Sequence, residues 1–396
     1  MIEVRVPPSK SLTQRALVLG ALGNDPCRIH NPLICDDSEA MATGLTALGV
    51  RVEKNDSHWL VHPPETFSPK VDARLHLGNA GTATRFLTGL SPVVRGSYIV
   101  DGNEDMHRRP MPSLLAALSS LGVEVNELGN PGCPPVRLDC SDPHGVAAQT
   151  VLKAGGSSQE LSALLLVGSR MPEGLRITVD GALPSRPYFE LTLSVLGAFG
   201  VRYSQPMPNT YVVSRGRPRC HGYEVEGDWS SASYPIAAGW LTGREVSVVN
   251  ASKDSAQGDR LFPSLLETLA TAGDREIDMS DVPDLVPTVT ACALFAQGNT
   301  HIKGAAHLRI KESDRLAGLA GEFKKLGAKI TEEPDGLVIE PGPLRGNGAA
   351  LDSHRDHRLA MAFGLVSLRV NNFTVLTPGC VSKSYPEFWQ MLEEFR

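Results

Sequence analysis

The chain has 396 residues, 41% hydrophobic and 21% charged, a balance that excludes a disordered chain and predicts two folded domains. Its formal net charge of −6 argues against a surface that grips nucleic acid as a whole, so any anion site must gather its cations locally. The 7 cysteines include no Cys-x-x-Cys pair and the 11 histidines no His-Glu-x-x-His spacing, which points to reduced thiols and no metal site.

The first residues, Met1-Ile2-Glu3-Val4-Arg5, are charged and strand-like, unlike a secretion signal. No apolar run reaches the roughly 18 residues of a membrane helix, so a cytoplasmic chain is expected, and Met1 beginning directly on a strand favours a stand-alone one. Ile2, Val4 and Val6 alternate and stop at Pro7-Pro8. Ser9-Lys10-Ser11 then opens a helix on which Arg15 shares a face with Ser11. Hydroxyls, free N–H groups and cations at a helix start suit an anion, although an ordinary cap reads the same way.

A helix is expected at 41–48, closed by Gly49 and followed by strands at 50–52 and 59–61. Residues 77–85 form a Gly-rich turn leading into a helix at Phe86; the spacing is neither a dinucleotide fingerprint nor a P-loop. Arg108 and Arg109 precede a helix at 114–121, with Pro110 holding Arg109 extended. Gly122 and strands at 123–125 and 136–138 follow. Ser157 and Glu160 have capping-box spacing at the next helix start. Ser185 and Arg186 precede a helix at 189–199, then come Gly200 and strands at 201–203 and 211–213.

The turn-rich stretch 226–234 leads into another helical run. A helix at 262–272 ends at Gly273, and Asp281 and Asp284 stand among prolines before a helix at 288–296. In 308–316, Glu312 and Lys311 lie three and four residues before Arg315 at helical spacing. Leu316, Leu319, Phe323 and Leu326 form a buried stripe, closed by Gly327 and strands at 328–330 and 337–339. Ionisable groups crowd 352–358 before an apolar helix, and Lys383 precedes a last helix at 385–395.

Helix, glycine, strand, strand recurs every 55–80 residues or so, too widely for a solenoid. The glycine suits a helix C′ position, which takes φ > 0. Six such units in two sets of three predict two α/β (α+β) domains, crossed by the chain at Pro7-Pro8 and again near 226–234. The decorated helix starts would face a cleft between them.

The motifs SKSLTQRAL (9–17), LGNAGTATR (77–85), HRRPM (107–111), GSSQ (156–159), SRPYFELTL (185–193), EGDWSSASY (226–234), VPDLVPT (282–288), RIKESDRL (309–316), DHRLAMAF (356–363) and SKSYPEFW (382–389) resemble, in order and spacing, the 5-enolpyruvylshikimate-3-phosphate synthase family over nearly the whole chain. The resemblance implies the enolpyruvyl transferase fold, an inside-out α/β barrel of two domains, each of three βαβαββ units. It implies a discontinuous domain, 1–8 plus 228–396, and an inserted one, 9–227, with the active site in the cleft. It implies transfer of the enolpyruvyl group of phosphoenolpyruvate to the 5-hydroxyl of shikimate 3-phosphate, releasing phosphate, through a tetrahedral adduct in aromatic amino-acid biosynthesis. No cofactor or metal, a monomer, small-molecule substrates only and sensitivity to glyphosate are further implications.

Residue by residue, the resemblance assigns Lys10, Asn79, Gly81, Thr82, Arg109, Gln159, Arg315, Arg358 and Lys383 to phosphoenolpyruvate, with the loop of Arg85 facing the same pocket. Lys10, Ser11, Arg15, Ser157, Ser158, Gln159, Ser185, Asp284, His307 and Lys311 fall to shikimate 3-phosphate. Asp284 resembles the base for the 5-hydroxyl and Glu312 the donor to C3, with Lys383 and Lys10 also catalytic; acid and base among Asp284, Glu312 and Lys383 could be exchanged. His307 stands where many relatives have asparagine. The proline- and arginine-rich stretch 204–222 matches no family motif.

Three rivals remain at this point. A UDP-N-acetylglucosamine enolpyruvyl transferase would carry a cysteine in 102–109, and none is there. An RNA-terminal phosphate cyclase is opposed by the acidic net charge. A non-catalytic phosphometabolite-binding protein is opposed by the joint presence of Asp284, Glu312, Lys10 and Lys383.

Overall fold

The computed structural model describes residues 1–70, 73–142, 145–155 and 157–396; Gly156 of the GSSQ motif lies outside them. Contacts divide the chain into two compact units, Pro8–Val225 and Met1–Pro7 with Glu226–Arg396. They are called here the inserted and the terminal unit.

The inserted unit holds three four-stranded sheets of one design. Ala73–His76 lies parallel to Gly96–Asp101, which pairs antiparallel with Val136–Cys140, which pairs antiparallel with Glu124–Glu127. Gln149–Lys153, Leu175–Asp180, Thr210–Val213 and Tyr203–Met207 repeat that order. The remaining sheet has Cys27–His30, His58–His62 and Arg51–Lys54 in the same roles. Its parallel edge strand is Gly222–Glu224, from the far end of the unit. In the first two sheets a helical crossover joins the parallel pair, and a short turn joins only the outer antiparallel pair, as between Glu124–Glu127 and Val136–Cys140.

The terminal unit has one full sheet, Arg275–Asp278, Thr300–Lys303, Gly336–Glu340 and Lys329–Glu333. Its other two sheets are parallel pairs: Ile2–Val4 with Val246–Val248, and Ala349–Asp352 with Phe373–Leu376. The repeat is therefore complete in four of six places among the described residues. After Val248 and after Leu376 no second alternating run is available to form a hairpin.

The glycines behave as the repeat predicts. Gly49, Gly122, Gly200, Gly273 and Gly327 all have positive φ, from 68° to 101°. Four of them end their helix, where an L-residue would strain; Gly273 lies three residues beyond Phe262–Ala270, shorter than the helix expected at 262–272, and its N–H donates to Gln297 O.

Three helices form the centre of the inserted unit: Lys10–Leu22, Gly81–Gly89 and Gln159–Gly168, packed on one another. From Leu12 to Leu22 every residue of the first is buried. Trp229–Thr242, Val286–Ala293 and His357–Val366 do the same in the terminal unit. A helix buried on all sides has no polar face, so periodicity reports it poorly.

That explains several shifted boundaries. The helix expected from Phe86 begins at Gly81, so the supposed turn residues Gly81 to Arg85 are helical. The helix expected at 288–296 is Val286–Ala293. The stretch 308–316 is not one helix: a 3-10 turn, Ala306–Ile310, is followed by a bend, and the α-helix starts at Arg315. The last helix is shortened to Phe388–Glu393 behind a 3-10 segment, Pro378–Lys383. The strand expected at 201–203 starts at Tyr203 and runs to Met207, exposed throughout.

Candidate active site

In the inserted unit the site residues gather where the three buried helices begin. Lys10 opens the first helix, and its Nζ lies 3.2 Å from Asp37 Oδ2. Asn79 precedes the second helix; its Oδ1 accepts from Arg109 Nη1 at 2.9 Å. Gly81 lies against the same guanidinium, since a Cβ built there would stand 2.5 Å from Arg109 Nη2. Thr82 Oγ1 accepts from Gln159 Nε2 at 3.1 Å, which brings the second and third helix starts together. Ser157 Oγ accepts from the Gln159 N–H at 3.2 Å. Ser158 is the buried N-cap residue of its helix, and Ser185 precedes the helix Arg186–Ala198 in the left-handed region at φ 58°.

Three sequence readings change here. The Ser157–Glu160 capping box is absent, because Glu160 Oε2 instead accepts from the Leu114 N–H at 2.8 Å. Arg85 does not belong to a ligand loop. It is 5% exposed and donates to the carbonyls of Gly81 at 3.2 Å and Pro110 at 2.9 Å, tying the Arg109 segment to the second helix. Arg15 is buried too. It donates to Ser11 O at 2.9 Å, Thr192 Oγ1 at 2.8 Å and Tyr188 O at 2.8 Å, and burial pulls it down to about 10. Two of its five N–H donors therefore fasten the first helix to Arg186–Ala198, and a third bonds back within the first helix.

In the terminal unit one arginine organises the cluster. Arg315 Nη1 meets Asp284 Oδ1 at 3.1 Å, Nη2 meets Glu312 Oε2 at 2.8 Å, and Nε meets Asp356 Oδ2 at 2.8 Å. Arg358 Nη2 reaches Asp284 Oδ2 at 2.8 Å, and Lys383 Nζ reaches Glu312 Oε1 at 3.4 Å. Asp284 thus lies between two guanidiniums, and Glu312 between a guanidinium and an ammonium. The i,i+3 pairing of Glu312 with Arg315 is real but spans a bend. Asp284 sits in the 3-10 turn Pro283–Leu285 and caps no helix.

Asp356 is the member of this cluster that motif reading left without a role. It is fully buried, caps His357–Val366 by accepting the Arg358 N–H at 2.9 Å, and accepts from Ser313 Oγ at 3.1 Å. An aspartate two residues before an arginine at the start of an apolar helix was the available signal. Asp37 was likewise visible only as an acid in the first turn of Asp36–Ala47.

The charges act on one another. Burial alone would raise the Asp284 carboxyl, but Arg358, Arg315 and Lys311 hold it well below the usual carboxylate range. Burial alone would lower Arg315, but Asp356, Glu312 and Asp284 keep it above its ordinary value. His307 is lowered to about 4, first by burial and then by Lys311, so its ring is neutral near pH 7. Asp259, buried and hydrogen-bonded by Ser230, is raised to about 7 by burial and by Asp284. No group of three or more His, Cys, Asp or Glu side chains suits a metal ion among the described residues. No helix among them is long and apolar enough to cross a membrane.

A helix-start array of amides, hydroxyls and cations in one unit, and a carboxylate pair held by two arginines and a lysine in the other, suit anionic substrates and proton transfer. Residues 2–392 match the family model for EPSP synthase (3-phosphoshikimate 1-carboxyvinyltransferase). The chain is 36% identical to the 3-phosphoshikimate 1-carboxyvinyltransferase of Syntrophobacter fumaroxidans over 100% of this chain and 97% of that protein. It is 38% identical to the enzyme of that name from Methanoculleus marisnigri, covering 98% and 94%. EPSP synthase from Acinetobacter baumannii superposes with a TM-score of 0.79 at 24% identity, over 99% of this chain and 95% of that one. The enolpyruvyl transferase NikO from Streptomyces tendae gives 0.72 at 16% identity, over 100% and 94%, a likeness of fold. This chain belongs to the EPSP synthase family.

Proposed function

We propose that the two clusters serve one pair of substrates, with the inserted unit supplying the anion-binding helix starts and the terminal unit the proton transfers. The protein transfers the enolpyruvyl group of phosphoenolpyruvate to the 5-hydroxyl of shikimate 3-phosphate and releases phosphate. The 5-oxygen bonds to C2 of phosphoenolpyruvate, C3 takes a proton from the acid, and the hydroxyl proton passes to the base. The adduct then returns a C3 proton to the acid and expels phosphate, which takes the proton held by the base, so the double bond forms and both groups are regenerated.

In this reading Asp284 is the base, Glu312 the donor to carbon, and Lys383 exchanges protons with Glu312. Arg315, Arg358, Arg109 and Lys10 hold phosphoenolpyruvate with Asn79, Gly81, Thr82 and Gln159. Ser11, Ser157, Ser158, Ser185, Lys311 and the neutral His307 hold shikimate 3-phosphate, while Arg15, assigned to it by the motif, braces Ser11 through its carbonyl. The observation that carries the assignment is Asp284 held by Arg315 and Arg358 at 3.1 and 2.8 Å. A carboxylate so clamped is a poor base. An incoming carboxylate or phosphate competes for the same guanidiniums, loosens the clamp and restores basicity to Asp284. Substrate binding thereby arms the base.

Phosphate release from phosphoenolpyruvate is the test, with shikimate 3-phosphate, UDP-N-acetylglucosamine or neither as acceptor. Release is expected with shikimate 3-phosphate alone, and Glu312→Gln should slow it by at least about 100-fold, the scale of one general acid. Release with the UDP-sugar, or a Glu312→Gln enzyme of near-normal turnover, overturns the assignment.

A further inference from the structure

The buried helix Gln159–Gly168 carries Gln159 at its start and, just beyond its other end, a pocket of about 470 Å³. Arg95, Arg170, Arg215 and Arg217 line this pocket, with Glu65 and Ser169. Among the described residues no carboxylate, Glu65 included, lies within ion-pair distance of any of the four arginines. Arg170 Nε and Ser169 Oγ are buried there without a hydrogen-bond partner among the described residues. Burial and the neighbouring Arg217 pull Arg170 down to about 10.

The pocket is built, not incidental to a loose loop. Arg215 and Arg217 belong to the proline- and arginine-rich stretch that matches no family motif. The Gly216 N–H between them donates to Ser169 O at 2.8 Å, which pins that stretch beside the helix end. Arg95 is held on the other side by its own N–H to Phe67 O at 3.0 Å. A cation beyond a helix C-terminus complements the helix dipole by up to about 1 kcal/mol. That accounts for Arg170, two residues past the helix. It does not account for three further guanidiniums around one concavity, which repel one another, nor for two unsatisfied buried polar atoms.

We propose that this pocket is a second anion site, for a small molecule carrying a diphosphate group. Arginine forks suit phosphoryl oxygens in pairs, and four of them suit two linked phosphoryl groups better than one. The pocket volume falls within the range for metabolite-sized ligands. Ser169 Oγ would donate to an oxygen of the same group. The proposal is independent of the residue roles given above for enolpyruvyl transfer.

Titration calorimetry of the full chain at low salt tests it, with inorganic pyrophosphate and with ATP as separate probes. The enolpyruvyl site also attracts phosphoryl groups, so Arg358→Gln serves as background. In that background one pyrophosphate per chain should still bind, and adding Arg170→Gln with Arg217→Gln should weaken it at least tenfold. Arg170→Gln with Arg217→Gln in the otherwise unchanged enzyme should leave kcat and KM for phosphoenolpyruvate within twofold. Should that pair fail to fold, the exposed Arg215→Gln should weaken binding about threefold, and Thr66→Glu at the pocket should abolish it. Tighter binding of ATP identifies a nucleoside polyphosphate as the source; equal binding identifies the bare diphosphate. Absence of pyrophosphate binding in the Arg358→Gln background, or binding that ignores every pocket substitution, overturns the proposal. An Arg358→Gln enzyme with an unchanged KM for phosphoenolpyruvate would instead refute the catalytic assignment and leave the pocket standing.

Discussion

Gly81 shows how one missing methyl group can set a specificity. It lies in the first turn of a buried helix, against the Arg109 guanidinium. Adding a Cβ would require Arg109 Nη2, 2.5 Å away, to move. That atom is the far end of a flexible side chain, so the protein should fold but the anion pocket should narrow. Gly81→Ala is therefore expected to weaken inhibition by glyphosate at least tenfold while changing KM for phosphoenolpyruvate much less. Equal losses in steady-state kinetics would reject the steric account. Asp259 makes the residue-scale case for pH. Its folded pKa, raised to about 7, lies above that of an unfolded aspartate. The stability this site provides is then fully present below pH 4 and is lost as pH rises through 7, about 1.4 kcal/mol per unit of pKa shift. Urea unfolding of Asp259→Asn should show a flatter decline between pH 5 and 8 than the wild type. Parallel curves would mean that Asp259 does not titrate in that range.

Among elements, the start of His357–Val366 joins folding to chemistry. Asp356 caps this helix and pairs with Arg315, so one buried carboxylate fixes both a helix and the arginine that holds Asp284 and Glu312. Removing one partner of a buried pair costs about 3–5 kcal/mol, since the other charge is left uncompensated. Asp356→Ala should lower stability by that order. Asp356→Asn keeps the cap oxygen and should lose less stability, yet still lose activity because Arg315 is less firmly placed. A fully active Asp356→Asn enzyme would confine Asp356 to the cap. The same helix shows what was legible in sequence. Its apolar run after Arg358 predicted a helix, and the family motif marked Arg358. The pairing of Asp356 with Arg315, 41 residues back in the chain, left no local pattern.

For the whole molecule, two strands record the crossings of the chain. Ile2–Val4 pairs with Val246–Val248, and Gly222–Glu224 pairs with Cys27–His30, so each compact unit is closed by a segment remote in sequence. The chain passes between units at Pro7 to Pro8 and at Val225 to Glu226. Substrates carrying phosphates and carboxylates should bias the two units towards a more compact arrangement, because one bound anion can engage cations of both. X-ray scattering should give a smaller radius of gyration with shikimate 3-phosphate than without it. An unchanged profile with the ligand demonstrably bound would exclude ligand-driven closure.

Local chemistry made much of this protein readable before any coordinates. A glycine after each amphipathic helix must take a positive φ, and alternating runs must pair as strands, so the repeat and its five glycines followed from short-range sterics and hydrophobic period. The motifs marked Asp284 and Glu312 and the cations around them, although the helical spacing read between Glu312 and Arg315 proved to be a bend. Long-range packing settled the rest. It buried Arg85 and Arg15 in hydrogen bonds to carbonyls, turned Glu160 from a cap to Leu114, and placed Asp356 under Arg315. It also gathered four arginines from three segments around one pocket. Those outcomes depend on which buried polar groups meet across tens to hundreds of residues, and the cost of leaving such a group unpaired is exacted only once the chain has folded.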